Sequence, residues 1–364
     1  VNEREAMAHA LELAARGWGR VHPSPMVGAV VIERGEVVGE GWHAEFGGPH
    51  AEVAALGVAG SRAAGSTAVV TLEPCAHVGK QPPCTDALIG AGVRRVVAAM
   101  RDPNPVAAGG AERLRSAGIE VELGLLREDA CAQNAIFLHA LRNADRPYVA
   151  LKLATTVDGR IADARGRSRW ISGAEARDFV HWLRAGFDAV GTGGRTAAVD
   201  DPSLTVRGPV SPRVAPKRVV FDAGLRVGAE SNLARTAGEL GTMVLTSEAS
   251  AMSARADELR AREVQVFAVA SLADALRTLR MSGLQSIIVE GGGRLAGALV
   301  TAGLVDRFYW IQSPVFLGDA AVPAFQGLTD TPLAAAARWS VIERRALGDD
   351  TLLVLDRERC SPES

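Results

Sequence analysis

Cysteine is scarce in this chain, four residues among 364, too few for the disulfide framework that small secreted folds rely on. A surplus of either charge is also missing. The formal net charge of -2 excludes a protein that grips nucleic acid through a broad basic surface, though not one that holds a small anion with a few arginines. No apolar run approaches the length of a bilayer span, since stretches such as Val27 to Ile32 and Ser286 to Val289 are strand-sized. Val1 to Gly17 is charged and amphipathic, without the apolar centre of a secretory signal. No internal repeat is visible. What remains is ordinary globular composition, 48% hydrophobic and 23% charged, at a length that suggests two domains. The expectation is a cytoplasmic protein with reduced thiols.

Strand and helix patterns alternate along the first part. Asn2 and Glu5 form a capping box for a helix that Gly17 ends. A hairpin follows at Val27 to Ile32 and Glu36 to Gly41, then a helix at His50 to Ala59 and a strand at Thr67 to Leu72. Next come a helix at Cys84 to Ala91, a strand at Arg95 to Met100, a helix at Gly110 to Ala117 and a strand at Ile119 to Leu123. Such alternation predicts an α/β sheet covered on both faces. A single helical stretch, Arg127 to Leu141, leads to the polar junction at Asn143 to Pro147, where the domain boundary is placed: 1–146 and 147–364. The pattern then restarts as a second α/β domain, with final strands at Arg307 to Ile311 and Thr351 to Asp356 and an exposed helix within Ala249 to Arg262.

The strongest chemical signal is His50-Ala51-Glu52 followed by Pro74-Cys75 and Pro83-Cys84. One imidazole and two thiolates make a three-ligand set for Zn²⁺ that leaves a coordination position for water. Zinc lowers the pKa of such water towards neutrality. Glu52, two residues beyond the histidine, is placed to shuttle protons without being a ligand, the pattern of zinc nucleobase deaminases. Each ligand lies near an expected helix start, where the dipole favours thiolate. The eight residues between the cysteines exceed the usual spacing and add His77 as another possible ligand. A structural zinc site is the blander alternative. His9, His22 and His43 read as surface or packing residues.

These residues resemble the bifunctional riboflavin-biosynthesis family, in which a diaminohydroxyphosphoribosylaminopyrimidine deaminase is fused to a 5-amino-6-(5-phosphoribosylamino)uracil reductase. The resemblance runs through His22-Pro23-Ser24-Pro25-Met26-Val27-Gly28, His50-Ala51-Glu52-Val53, Thr71-Leu72-Glu73-Pro74-Cys75, Gly79-Lys80-Gln81-Pro82-Pro83-Cys84 and Arg101-Asp102-Pro103-Asn104-Pro105. It implies a cytidine-deaminase-like three-layer α/β/α domain followed by a dihydrofolate-reductase-like α/β domain. It also implies His50, Cys75 and Cys84 as zinc ligands and Glu52 as the proton shuttle. Ser24 stands where the family commonly has an asparagine reaching the pyrimidine.

The second half alone says less. Glu290-Gly291-Gly292-Gly293-Arg294 between a strand and a helix suits a phosphate, or merely a tight turn. It is not the dinucleotide fingerprint. The family resemblance continues through Lys152 to Arg160, Ser168 to Ser172 and Gly191 to Arg207. It implies that Ala154, Trp170, Thr196, Asp200, Gly292, Gly293 and Arg294 contact NADPH. It assigns Lys152, Ser168, Arg184, Leu204, Arg207 and Glu290 to the ribosyl-phosphate substrate. Guanidinium forks at Arg184 and Arg207 match phosphate. Trp170 also fits a core position, and Arg184 a helix C-terminus. Ala223 stands where the family often has a hydroxyl near the cofactor. The expected enzyme deaminates, then reduces, acts on a small molecule without nucleic acid or membrane partners, and forms a homo-oligomer, a dimer by preference. Two alternatives stay open: a deaminase of another aminopyrimidine with a degenerate second domain, and a non-catalytic zinc module.

Overall fold

In strand β1, Gly28–Glu33, alternate side chains serve different cores. Val30 and Ile32 pack with Val69, Val97 and the helix α1, Glu3–Ala15, through Met7, Ala10 and Leu13. Ala29 and Val31 face the other way, onto Ala51, Ala55 and Ala59 of the helix α2, Ala51–Ala59. The remaining strands are β2, Glu36–Trp42, β3, Thr67–Val70, β4, Arg95–Ala98, and β5, Glu120–Leu123. Their order is β2-β1-β3-β4-β5, with β1 antiparallel to both neighbours and β3, β4 and β5 parallel. Helices α3, Cys84–Gly90, and α4, Gly110–Ser116, cover Ala68 and Val96 with Leu88 and Leu114. The sheet is therefore covered on both faces, as the alternation implied.

Two features place α2, and with it His50 and Glu52. Gly41 of β2 lies so close that a Cβ there would sit 2.4 Å from the Ala51 carbonyl oxygen. The alanine face of the helix completes the close approach. The expected capping box at α1 is present, with Asn2 and Glu5 exchanging backbone-to-side-chain hydrogen bonds of 2.9 Å.

The single helix expected at Arg127 to Leu141 is two helices, α5, Arg127–Gln133, and α6, Ala135–Arg142. Asn134 is the reason. Its buried amide accepts the Met26 N–H at 2.8 Å and donates to the Met26 carbonyl at 3.0 Å, tying the break to the loop before β1. This computed structural model describes residues 1–79, 81–208, 210–328 and 331–357; Lys80 and Cys360 lie outside the described residues. The chain divides into two units between Arg142 and Asn143. Cys75 and Cys84 are free thiols, in line with the expectation of reduced thiols at these two positions.

The second unit is built on a larger sheet. Its strands are β6, Tyr148–Thr156, β7, Arg160–Ala162, β8, Ala189–Gly193, β9, Lys217–Phe221, β10, Thr242–Thr246, β11, Gln265–Ala268, β12, Ser286–Glu290, β13, Arg307–Ser313, β14, Val322–Pro323, β15, Ser340–Leu347, and β16, Asp350–Asp356. Nine of them order as β11-β10-β9-β8-β12-β6-β13-β16-β15, while β7 and β14 pair separately. From β11 to β13 the sheet is parallel, and β16 and β15 close it antiparallel. Val149, Leu151, Val219, Leu245, Ile287 and Val289 form its core with Leu276, Leu279 and Leu299 from helices. The segment Ala249 to Arg262 holds two short helices rather than one, and buries Ala256 and Leu259. The carboxyl ends of the parallel strands lie along one edge of the sheet, which is where open α/β sheets form ligand crevices.

Candidate active sites

In the first unit a cavity of about 320 Å³ is lined by Ser24, His50, Glu52, Cys75, His77, Asp102 and Asn104, among others. His50 is the residue before α2, and its side chain makes no capping bond, which leaves the ring for other work. Its Nδ1 lies 3.2 Å from Cys84 Sγ and 3.7 Å from Cys75 Sγ. The three ligand atoms all fall within 4.8 Å of one another. Tetrahedral zinc, with bonds of about 2.0 Å to nitrogen and 2.3 Å to sulfur, needs nitrogen–sulfur edges of about 3.5 Å. The donor set and its spacing fit that ion.

Cys84 opens α3, as expected, whereas Cys75 lies in the loop after β3 and not at a helix start. The helix serves it nonetheless, because the Cys84 N–H donates to Cys75 Sγ at 3.4 Å. The Cys84 thiol also donates towards Cys75. With the His50 ring and the Cys84 N–H it outweighs burial and brings Cys75 down to about 4. Cys84, sharing that proton and buried, is pushed the other way. A divalent cation would displace the remaining proton.

Glu52 is only 4% exposed, and burial raises its carboxyl above the ordinary range. A carboxyl raised in this way holds its proton more readily than a free one, which suits a group that shuttles protons. His77 is not in the ligand cluster, which corrects the idea of a fourth ligand; it lines the cavity with Nδ1 buried and unbonded. His43 is buried on the wall of the same cavity and outside the ligand cluster. Its Nδ1 meets the Pro49 carbonyl at 3.1 Å and its ring stands edge-on to His50, centroids 5.6 Å apart. Sequence reasoning passed over Glu73, whose carboxylate accepts the N–H groups of Asp102 (3.1 Å) and Ala111 (2.8 Å) and so ties the Pro74-Cys75 loop to the next one. It also gave no role to Asp102, which burial pushes up to about 6. Their only signal was acidic residues embedded in proline-rich motifs.

In the second unit a cavity of about 1370 Å³ opens at the carboxyl ends of β6, β8, β9, β10 and β12. All the residues assigned to cofactor or substrate by resemblance line it: Lys152, Ala154, Ser168, Trp170, Arg184, Thr196, Asp200, Leu204, Arg207, Glu290, Gly292, Gly293 and Arg294. Trp170 is not core. It is 72% exposed, with the Arg177 guanidinium 4.8 Å above its ring. Gly292 adopts φ 76° and precedes the helix Gly293–Thr301, whose first amides carry no side-chain cap. The loop is therefore both a glycine-requiring turn and an open helix N-terminus.

Glu290 and Lys152 are register partners on adjacent strands. Helix α7, Ala174–Ala185, brings Arg184 to Glu290, with Nε donating to Oε1 at 2.5 Å and Nη2 to Oε2 at 2.9 Å. Burial alone would raise Glu290, but Arg184 and Lys152 outweigh it and hold the carboxyl at about 2. Burial lowers the Lys152 ammonium despite Glu290. Arg184 Nη1 donates to the Thr205 carbonyl at 2.7 Å, so of five N–H groups only two remain for a ligand. Beside Ala223, the hydroxyls of Thr246 and Ser250 donate to its carbonyl at 3.2 and 3.0 Å.

Residues 1–100 match the family model described as the cytidine and deoxycytidylate deaminase zinc-binding region, and residues 147–353 that of the RibD C-terminal domain. Riboflavin biosynthesis protein RibD of Escherichia coli K12 is 42% identical, over 96% of this chain and 98% of that one. RibD of Aquifex aeolicus is 38% identical over 98% of each. Among solved structures, Acinetobacter baumannii RibD superposes with a TM-score of 0.80 at 37% identity, covering 97% of this chain and 98% of its own. A Thermotoga maritima structure described as a diaminohydroxyphosphoribosylaminopyrimidine deaminase/5-amino-6-(5-phosphoribosylamino)uracil reductase gives 0.80 at 34%, covering 98% and 99%. The first unit is thus cytidine-deaminase-like, and the second has the dihydrofolate-reductase-like fold of the matched C-terminal domain.

Proposed function

Because this chain belongs to the RibD family and is a bifunctional deaminase and reductase of riboflavin biosynthesis, we propose the following division of labour among its residues. His50 Nδ1, Cys75 Sγ and Cys84 Sγ hold zinc, which supplies Lewis acidity that makes water nucleophilic near neutral pH. Glu52 would take a proton from the attacking water and return it to the departing amine of 2,5-diamino-6-(5-phosphoribosylamino)pyrimidin-4-one. Ser24, on the cavity wall, offers the ring a single hydroxyl.

In the second unit Ala154, Trp170, Thr196, Asp200 and the loop Gly292-Gly293-Arg294 hold NADPH, which supplies the hydride. Lys152, Ser168, Arg184, Leu204, Arg207 and Glu290 hold the deaminated ribosyl-phosphate substrate, whose ribosyl chain becomes ribityl. Arg184 is largely committed to Glu290 and Thr205, so Arg207, exposed and in no ion pair among the described residues, is the freer phosphate ligand. The residues orient donor and acceptor and exclude water. The domain boundary lies in the 143–147 junction. A cytoplasmic symmetric dimer is the expected assembly; no helix among the described residues is long and apolar enough to cross a membrane.

The observation that carries this reading is that each unit gathers a complete set of groups around its own cavity. Fluorescence titration of the full chain with NADPH and NADH tests the cofactor assignment. Saturable binding of NADPH, weakened by Trp170→Ala, is expected; no binding of either nucleotide contradicts it.

A further inference from the structure

The segment 201–208, which follows the helix α8, Gly194–Asp200, forms one wall of the reductase cavity. Its backbone is unusual. Asp201 and Leu204 adopt φ values of 39° and 50°, left-handed conformations that residues other than glycine keep only when their surroundings hold them. Three anchors do so. Asp201 accepts the Asn232 N–H and side-chain amide, each at 2.8 Å. The Thr205 carbonyl accepts from Arg184. The Arg207 N–H donates to His181 Nδ1 at 3.1 Å. His181 and Arg184 stand three apart on α7, hence on one helix face, and both line the cavity.

We propose that His181 is a positioning residue of the reductase site: its neutral imidazole anchors the Arg207 backbone through Nδ1 and thereby seats the Arg207 guanidinium for the phosphate of the substrate. This deepens the reductase reading and rests on it. The anchor requires a lone pair on Nδ1, because the donor is a backbone N–H that cannot reverse its role. A proton on Nδ1 would set two donors against each other.

The surroundings favour the neutral ring. Burial comes first, followed by the charges of Arg184 on α7 and Arg207 on the segment itself, and together they lower the His181 pKa. Glu290 on β12 and the Thr205 carbonyl oppose them without prevailing. The folded protein thus binds this proton less readily than a free imidazole of pKa about 6.5. The anchor is complete above that value and is lost as pH falls through the lower value of the folded state.

The test uses the full zinc-loaded chain and two variants. In His181→Asn, Oδ1 replaces Nδ1 as an acceptor that does not titrate; in His181→Leu there is no acceptor. Thermal unfolding of the second unit serves as the folding control, and ammonia release should be unchanged in both. With 5-amino-6-(5-phosphoribosylamino)uracil and NADPH, wild-type KM should rise between pH 7.5 and 5.5, by up to about tenfold, the worth of one hydrogen bond, with kcat changing little. The Asn variant should keep a low KM without that rise, and the Leu variant a high KM at both pH values. Protection of the Arg207 amide against hydrogen exchange should follow the same order. Wild-type KM and amide protection in the Leu variant, or an undiminished pH response in the Asn variant, would overturn the proposal. If wild-type protein oxidises no NADPH, the reductase reading fails instead, and amide protection alone decides whether His181 is the anchor.

Discussion

Arg184 and Glu290 form a two-point ion pair at the end of a parallel strand, with side chains only 12% and 13% exposed. Lys152, beside Glu290 in the strand register, adds a second cation to the same carboxylate. Such a cluster commits Arg184 and Lys152 to one carboxylate in the wall of the cavity, whereas Arg207, on the same cavity, is exposed and in no ion pair among the described residues.

Replacing Glu290 by Gln leaves two cations facing a neutral amide. Removing one partner of a buried pair costs about 3–5 kcal/mol, so thermal unfolding of the second unit should come earlier and NADPH oxidation should fall steeply. Because the Glu290 carboxyl is held at about 2, below the ordinary value of about 4.3, its stabilisation is fully present above pH 4.3 and drains away as pH falls towards 2. The stability difference between wild type and variant should shrink over that window, measured by denaturant melts at each pH.

Glu52→Gln removes the proton carrier but keeps the shape of the site. Ammonia release should drop by about 10²–10⁴. Zinc content and NADPH oxidation on pre-deaminated substrate should stay at the wild-type level. Equal loss of both activities in a folded variant would contradict separate sites.

Stripping the metal with a chelator, or changing Cys84 to Ser, should abolish ammonia release and leave the reductase step intact. Elemental analysis should find about one zinc per wild-type chain, as expected for a single three-ligand site, and markedly less in the variant. A variant that retains full zinc would exclude Cys84 as a ligand.

Gly41→Leu forces a side chain into the space of the Ala51 carbonyl, 2.4 Å from where its Cβ would stand. Overpacking of this kind costs about 1–3 kcal/mol, and here it displaces the helix start that carries His50 and Glu52. Loss of ammonia release should exceed the loss of stability, with the reductase rate as the internal reference. Unchanged ammonia release would show that α2 tolerates the shift.

The cluster of His50, Cys75 and Cys84 was legible because its chemistry is local: a His-x-Glu at a helix start and two Pro-Cys steps mark candidate ligands without any knowledge of the fold. Most core strands were legible from apolar runs such as Ser286 to Glu290. Strand β15 was not, because its exposed Glu343, Arg344 and Arg345 erase the alternation that marks a half-buried strand. The break at Asn134 was hidden because the partner that causes it, Met26, is distant in sequence. His181 escaped notice for the same reason, since a lone histidine in a helix acquires meaning only when a distant backbone N–H arrives at its ring.

The most direct measurement supplies 2,5-diamino-6-(5-phosphoribosylamino)pyrimidin-4-one to the purified chain, with and without NADPH, while ammonia and the cofactor's absorbance are followed together. Ammonia should appear in both reactions, and NADPH should be consumed only after it, in equal final amount. Ammonia formed without any NADPH consumption would mean that the second unit does not reduce this product, and absence of ammonia from zinc-loaded protein would contradict the account at its root.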